Sequence, residues 1–191
     1  RLASLEQESK ELRLHLARQE KLASRDALTE LPNRASYDQR VAEADALWRT
    51  HYAQDQSASL CLAICDVDHF KSINDSYGHL AGDKVLKILA KQISEQLGDE
   101  YFVARYGGEE FTILMPDLTL KQAEALLGKV RQKIERCPFH FKEKQVQITM
   151  SFGLSEFSES DTPEKVFERA DKALYQAKKG GRNQVCVALP Q

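Results

Sequence analysis

The first apolar residues of the chain fall at heptad spacing. Leu2, Ser9, Leu16 and Ala23 recur every seven residues, and Leu5, Leu12 and Gln19 lie three after the first three. This a/d seam, weakened by Ser9 and Gln19 and polar on its other faces, predicts a helical arm over residues 1–25 that pairs as a short parallel coiled coil. A lone amphipathic helix packed on the following domain is the alternative. Pro32 then breaks the helix, and Tyr37, Val41, Ala44 and Trp48 restart it at four-three-four spacing to near Tyr52. The uninterrupted apolar run 60–65 is short enough for a strand covered on both faces, hence central in a sheet. Residues 69–78 are turn-rich, with some helical character. Val85, Leu86, Leu89, Ile93 and Leu97 mark a helix over 81–97 closed by Gly98.

Two aromatic or β-branched runs, 101–104 and 111–115, flank Gly107 and Gly108 and predict a hairpin with positive φ at its glycines. Leu120, Ala123, Leu127, Val130 and Ile134 form the stripe of a further helix, ended before Pro138. Val146, Ile148, Met150 and Phe152 alternate with polar residues, as in a half-buried strand. Thr162 as N-cap and Pro163 as first residue open a last helix, ended by Gly180 and Gly181, and 185–189 is a short closing strand. This order predicts an α/β sandwich (α+β) with a mixed sheet, built as one domain over 26–191 behind the arm.

Composition narrows the function classes. In 191 residues, 42% hydrophobic and 29% charged, there is material for a real core and nothing collagenous or disordered. A formal charge of −2 gives the surface no general attraction for polyanions, so nucleic acid is not an expected partner and phosphate chemistry must rely on local cations. Cys61, Cys65, Cys137 and Cys186 have no CxxC spacing, which fits a reducing cytosolic compartment. No run reaches membrane-spanning length and no signal peptide opens the chain, although an upstream segment absent from this sequence would hide both.

Three segments carry polar residues that packing does not require. Asp66 and Asp68 end the buried strand, where carboxylates are costly unless a cation or a donor meets them. Separated by one residue they share a side of an extended chain, so that one of them is within reach of a metal. Glu109 and Glu110 sit together at the hairpin tip, where a turn gains nothing from two adjacent acids. Either the tip is a solvated acidic turn or a cation belongs there, and the hairpin alone does not decide. Lys178 and Arg182 lie four apart across the end of the last helix, as a surface basic pair or as phosphate ligands. A buried strand and a hairpin that bring their acidic ends together make a Mg²⁺ site, and the three segments together describe phosphoryl transfer.

At these residues the sequence resembles the GGDEF family of diguanylate cyclases. Asp26-Ala27-Leu28-Thr29-Glu30-Leu31-Pro32-Asn33-Arg34 resembles its opening signature, with Glu30 where glycine is usual. The stretch from Asp66-Val67-Asp68-His69-Phe70-Lys71 through Asn74 and Gly78-His79 to Gly82-Asp83 is similar to its nucleotide-site signature. Gly107-Gly108-Glu109-Glu110-Phe111 is similar to the Glu form of the motif that names the family, and the stretch from Ala170-Asp171-Lys172 to Gly181-Arg182-Asn183 to its C-terminal signature.

The resemblance implies a polymerase-palm-like cyclase fold with a mainly antiparallel sheet. The implied activity is condensation of two GTP into cyclic di-GMP across a homodimer, as the output of a larger signalling protein. It implies two Mg²⁺ or Mn²⁺ ions per active site, held by Asp66, Glu109 and the Val67 carbonyl, with Glu110 as metal-shell or proton-accepting residue. Asn74 and Asp83 would read guanine, while Lys71, Lys178, Arg182 and the amides of His69, Phe70 and Lys71 would take phosphates. Gly107 and Gly108 would let the second nucleotide approach. Members inhibited by their own product carry an Arg-x-x-Asp motif where Gly98 and Tyr101 stand here, so no product site is expected. A noncatalytic module that binds GTP or cyclic di-GMP is the runner-up, and a coiled-coil scaffold with a dimerising head is a third reading.

Overall fold

The computed structural model describes residues 2–189; residues 1, 190 and 191, the outermost positions of the expected arm and domain, lie outside them. In chain order the elements are α1 (Leu2–Ser24), α2 (Arg34–Gln54), β1 (Leu60–Val67), α3 (Phe70–Tyr77), α4 (His79–Leu97), β2 (Phe102–Gly107), β3 (Glu110–Pro116) and α5 (Leu120–Glu135). They continue with β4 (Phe139–Phe141), β5 (Lys144–Val146), β6 (Met150–Glu156), α6 (Pro163–Lys179) and β7 (Val185–Ala188). The main sheet runs β2-β3-β1-β6-β7. Every pairing in it is antiparallel except β6 with β7, which α6 joins as a crossover.

The apolar run of β1 makes it the central strand, and its alternation splits the core in two. Cys61, Ala63, Cys65 and Val67 face Val85, Leu89 and Ile93 of α4 and Ala123, Leu127 and Val130 of α5. Leu60, Leu62 and Ile64 belong to the other side, with Tyr37, Val41 and Trp48 of α2 and Val166, Ala170 and Leu174 of α6. Each large aliphatic side chain buried in this way contributes about 1.5–3 kcal/mol. Gly153 lets α6 lie directly on β6, since a Cβ there would fall 2.0 Å from the Ala170 carbonyl oxygen.

Three expectations change. The strand expected over 146–152 is split: Val146 ends the small β4–β5 hairpin, and β6 starts at Met150. Regular strand begins only at Met150, although the Thr149 carbonyl still accepts from the Asp68 amide (2.9 Å) in the β1–β6 register and its hydroxyl donates to the Asp68 carboxylate. Moreover β6 is covered on both faces, its Ser151 and Ser155 being small enough to lie buried. Residues 70–77 form a helix instead of a turn-rich link. The helix break falls after Ser24, well before Pro32, which instead pairs with Arg25 in an isolated bridge.

α1 has no buried residue, so it does not pack on the domain, and Leu2, Leu5, Leu12 and Leu16 of the seam stand exposed. Its last carbonyls are satisfied by the start of α2. Asn33 accepts from the Ser36 amide as N-cap while its Nδ2 donates to the Ala23 carbonyl (2.8 Å), and the Ser36 hydroxyl donates to the Ser24 carbonyl (2.6 Å). Among the described residues no helix is long and apolar enough to cross a membrane.

Candidate active site

β1 delivers Asp66 and Asp68 to the same end of the sheet, and the structure gives them opposite fates. Asp66 lies opposite Glu110 of β3 on one side and Ser151 of β6 on the other. It is 3% exposed; its Oδ2 accepts from the Lys178 ammonium, while its Oδ1 is buried without a hydrogen-bond partner. Burial pushes its carboxyl above the ordinary range and Asp68 adds to the push, against the pull of Lys178 and Arg182. Asp68 has both oxygens engaged by protein donors: the Thr149 hydroxyl at 2.7 Å, the Ser151 hydroxyl at 2.7 Å and the Asn183 amide at 3.0 Å. Of the two acids, Asp66 keeps a free oxygen.

The hairpin tip reaches the same place. Gly107 pairs with Glu110 across a bulge that begins at Arg105, which leaves Gly108 and Glu109 as the turn. Neither glycine adopts positive φ, contrary to the sequence expectation. The bulge turns the chain, and the space around the tip is open: a Cβ at Gly108 would meet no atom within 4 Å, and one at Gly107 only the Glu110 Oε2 at 3.8 Å. Arg105 holds the tip, donating from Nε and Nη2 to the Gly108 carbonyl (3.1 and 2.7 Å) and from Nη1 to both oxygens of Asp26 (3.1 and 3.0 Å). Asp26 also accepts from the amide and hydroxyl of Thr29, both at 2.8 Å.

Burial raises the carboxyls of Glu109 and Glu110, and the Asp66 charge raises both further. Lys178 opposes this at each, joined at Glu110 by Arg34, whose guanidinium sits 4.6 Å over the Tyr106 ring. Two glutamates raised by the Asp66 charge and an unpartnered buried oxygen on Asp66 fit a hard divalent cation. Among the described residues no three His, Cys, Asp or Glu side chains converge on one point. A cation here would therefore rely on Asp66, Glu109, the carbonyl of Val67 at the end of β1, waters and ligand oxygens, which is how Mg²⁺ is commonly held.

Beside β1 the chain turns through His69, left-handed at φ 55°, into α3, whose first turn has no side-chain cap and carries Phe70 and Lys71. An uncapped helix start presents amides to an anion. Lys71 is exposed. Asn74, one turn on, has a buried Oδ1 without a partner, and α4 packs so closely on it that a Cβ at Gly82 would fall 1.9 Å from that oxygen. Asp83 follows Gly82 and is exposed beside this notch.

The C-terminal basic pair divides. Lys178, in the last turn of α6, reaches Asp66 directly, and Arg182 lies in the turn before β7. Gly98 caps α4 at φ 63° and Tyr101 packs half-buried against the core. Sequence reasoning missed the donors to Asp68, the Asp26–Arg105 brace and the Arg34–Tyr106 stack. Their partners are 70 to 115 positions apart, beyond any periodic signal, and only the Asp26-x-x-Thr29 spacing hinted at a local turn.

Comparisons with known proteins agree on this architecture. The family described as "Diguanylate cyclase, GGDEF domain" matches residues 23–184. Diguanylate cyclase DgcP of Pseudomonas aeruginosa is 46% identical over 188 residues, covering 98% of this chain and 27% of its own length. Diguanylate cyclase VdcA of Vibrio cholerae is 37% identical over 177 residues, 91% of this chain and 50% of its own. The chain thus spans between a quarter and a half of these two relatives. The solved coiled coil and GGDEF domain of DgcB from Caulobacter crescentus, in complex with c-di-GMP, superposes with a TM-score of 0.89 at 34% identity, over 98% of this chain and 97% of that one. With the matched region spanning most of its length, the chain belongs to the GGDEF-domain family of diguanylate cyclases.

Proposed function

We propose that two copies of this chain condense two GTP into cyclic di-GMP and release two pyrophosphates. The observation that carries this reading is the orphaned buried oxygen of Asp66 beside Glu109 and Glu110, next to a notch with a second orphaned acceptor at Asn74. Asp66, Glu109 and the Val67 carbonyl hold two Mg²⁺ or Mn²⁺ ions. Bound there, the metal supplies Lewis acidity at the α-phosphate and favours ionisation of the attacking hydroxyl. Glu110 accepts the proton of the ribose 3′-hydroxyl, and its raised pKa suits that task. The 3′-oxygen bonds to the α-phosphorus of the facing GTP, the bond from that phosphorus to the bridging oxygen of the β-phosphate breaks, and pyrophosphate leaves. The same exchange in the other direction closes the ring.

Asn74 and Asp83 accept from the N1 and N2 donors of guanine, which adenine lacks. The amides of His69, Phe70 and Lys71, with Lys71, Lys178 and Arg182, neutralise the β- and γ-phosphates. Lys178, which reaches Asp66 from α6, would divide its ammonium between that carboxylate and a substrate phosphate. Gly107 and Gly108 leave room for the second nucleotide, supported by the open space at Gly108. One GTP per chain requires two facing sites, and the exposed seam of α1 suits a parallel pairing that supplies them at high effective concentration. The chain acts as the cytoplasmic output domain of a longer signalling protein, with any membrane anchor upstream. Gly98, left-handed, and Tyr101, half-buried, leave no Arg-x-x-Asp product site; noncompetitive inhibition at low micromolar cyclic di-GMP would overturn this.

Incubation with GTP and Mg²⁺ tests the reading. Cyclic di-GMP from the wild type and none from Glu109→Gln supports it. GTP binding by a demonstrated dimer without product assigns the chain to the noncatalytic modules instead.

A further inference from the structure

The turn that carries Arg182 holds that residue in a conformation it does not favour. Gly181, Arg182 and Asn183 are all left-handed, at φ 114°, 65° and 47°, and two of the three are not glycine. Three anchors offset this. The Arg182 amide donates to the Ala177 carbonyl at 2.9 Å. The Asn183 side chain is clamped on α5, accepting from Arg131 Nη1 at 2.9 Å and donating to Glu135 Oε1 at 2.9 Å, with Arg131 and Glu135 themselves paired. The third anchor is the Asn183 amide, which donates to Asp68 Oδ2.

We propose that Asp68 is a positioning residue for the phosphate-binding turn at Arg182 and does not ligate metal. The carboxylate is 5% exposed and its two oxygens are engaged by Thr149, Ser151 and Asn183. A metal at Asp68 would compete with protein donors on both of its oxygens, whereas Asp66, two residues earlier, offers an oxygen with no partner. The Asp68 amide is likewise tied, to the Thr149 carbonyl at 2.9 Å. Asp68 therefore fastens the end of β1 to the approach of β6 and to the α6–β7 turn at once. Without it the left-handed residues lose an anchor and Arg182 drifts from the side of Asp66. This rests on the reading that Arg182 receives substrate phosphates.

The test compares GTP and GMP affinity, the KM for GTP and the Mg²⁺ half-saturation of the full chain with those of Asp68→Asn, Asp68→Ala and Arg182→Ala. Asp68→Asn keeps an acceptor for the Asn183 amide, and the Thr149 and Ser151 hydroxyls can rotate to suit an amide, so its GTP affinity should stay within about threefold of wild type. Asp68→Ala should weaken GTP about tenfold, the loss of roughly one charge-assisted contact, with GMP affinity and Mg²⁺ half-saturation unchanged. Combined with Arg182→Ala it should add nothing. Should Asp68→Ala fail to fold, Thr149→Val with Ser151→Ala loosens the same carboxylate and should weaken GTP alone, by about threefold. A tenfold rise in Mg²⁺ half-saturation for Asp68→Asn, or independent effects of Asp68→Ala and Arg182→Ala, overturns the proposal. The affinities stand apart from turnover: a wild type that binds GTP without making cyclic di-GMP refutes the cyclase reading and still tests the anchor.

Discussion

Removing the Arg105 side chain disconnects the hairpin tip from the end of the arm. The Arg105 side chain is 17% exposed and that of Asp26 21%, so the pair is screened less than a surface ion pair. Arg105→Ala deletes two hydrogen bonds to the Gly108 carbonyl and two contacts to Asp26. Hydrogen bonds to charged groups are worth about 1.5–3 kcal/mol each, but four contacts made by one planar group do not add. Asp26 also keeps both bonds from Thr29, which limits the cost of leaving it alone. We expect a loss of about 3 kcal/mol, or about 6–12 °C in Tm for a chain of this size. A double-mutant cycle with Asp26→Asn should return a coupling of about 1–2 kcal/mol.

The acid limb gives a second readout of the same pair. Burial alone would raise the Asp26 carboxyl, but bonds from Thr29 and Arg105 outweigh it and hold the group below its ordinary value of 3.8. Its contribution to stability is therefore complete above that value and is lost as pH falls through the lower folded value. Arg105→Ala should shrink this acid-dependent loss. Since the Gly108 carbonyl adjoins Glu109, kcat for cyclic di-GMP should fall more than KM rises. A variant within 0.5 kcal/mol of wild type, or a cycle with no coupling, would refute the brace.

Glu30 holds a left-handed φ of 62° at a position where glycine is at ease, so Glu30→Gly should raise stability by about 0.5–1 kcal/mol in chemical denaturation. Glu109 is raised by burial and by Asp66, so its ionised form opposes folding above its ordinary value of 4.5 and its protonation at lower pH relieves the cost. Glu109→Gln should accordingly raise the metal-free Tm at pH 7 by a few °C and leave it unchanged near pH 4. Deleting residues 1–24 should make specific activity fall on dilution, because pairing then depends on collision; unchanged, concentration-independent activity would remove the arm from the account.

Much of this was legible in the sequence wherever local rules act. The unbroken run 60–65 placed β1 at the centre of the sheet, the stripe from Tyr37 to Trp48 gave α2, and Thr162 with Pro163 gave the start of α6. Family motifs pointed to Asp66 and Glu109 and the sheet set Asp66 opposite Glu110, but spacing alone could not separate Asp66 from Asp68. That distinction depends on Thr149, Ser151 and Asn183, which meet Asp68 only after β6 and β7 are in place. At the hairpin the expectation of positive φ at the glycines failed: neither adopts it, a bulge lies between Arg105 and Gly107, and a Cβ would fit at both positions.

Mn²⁺ binding at equilibrium, followed by electron paramagnetic resonance with GTP present, reads whether Asp66 and Glu109 gather a divalent cation at the end of β1. Saturable binding by the wild type, lost in Asp66→Asn and Glu109→Gln and kept in Asp68→Asn, is the predicted result. Equal binding by wild type and Glu109→Gln would contradict it.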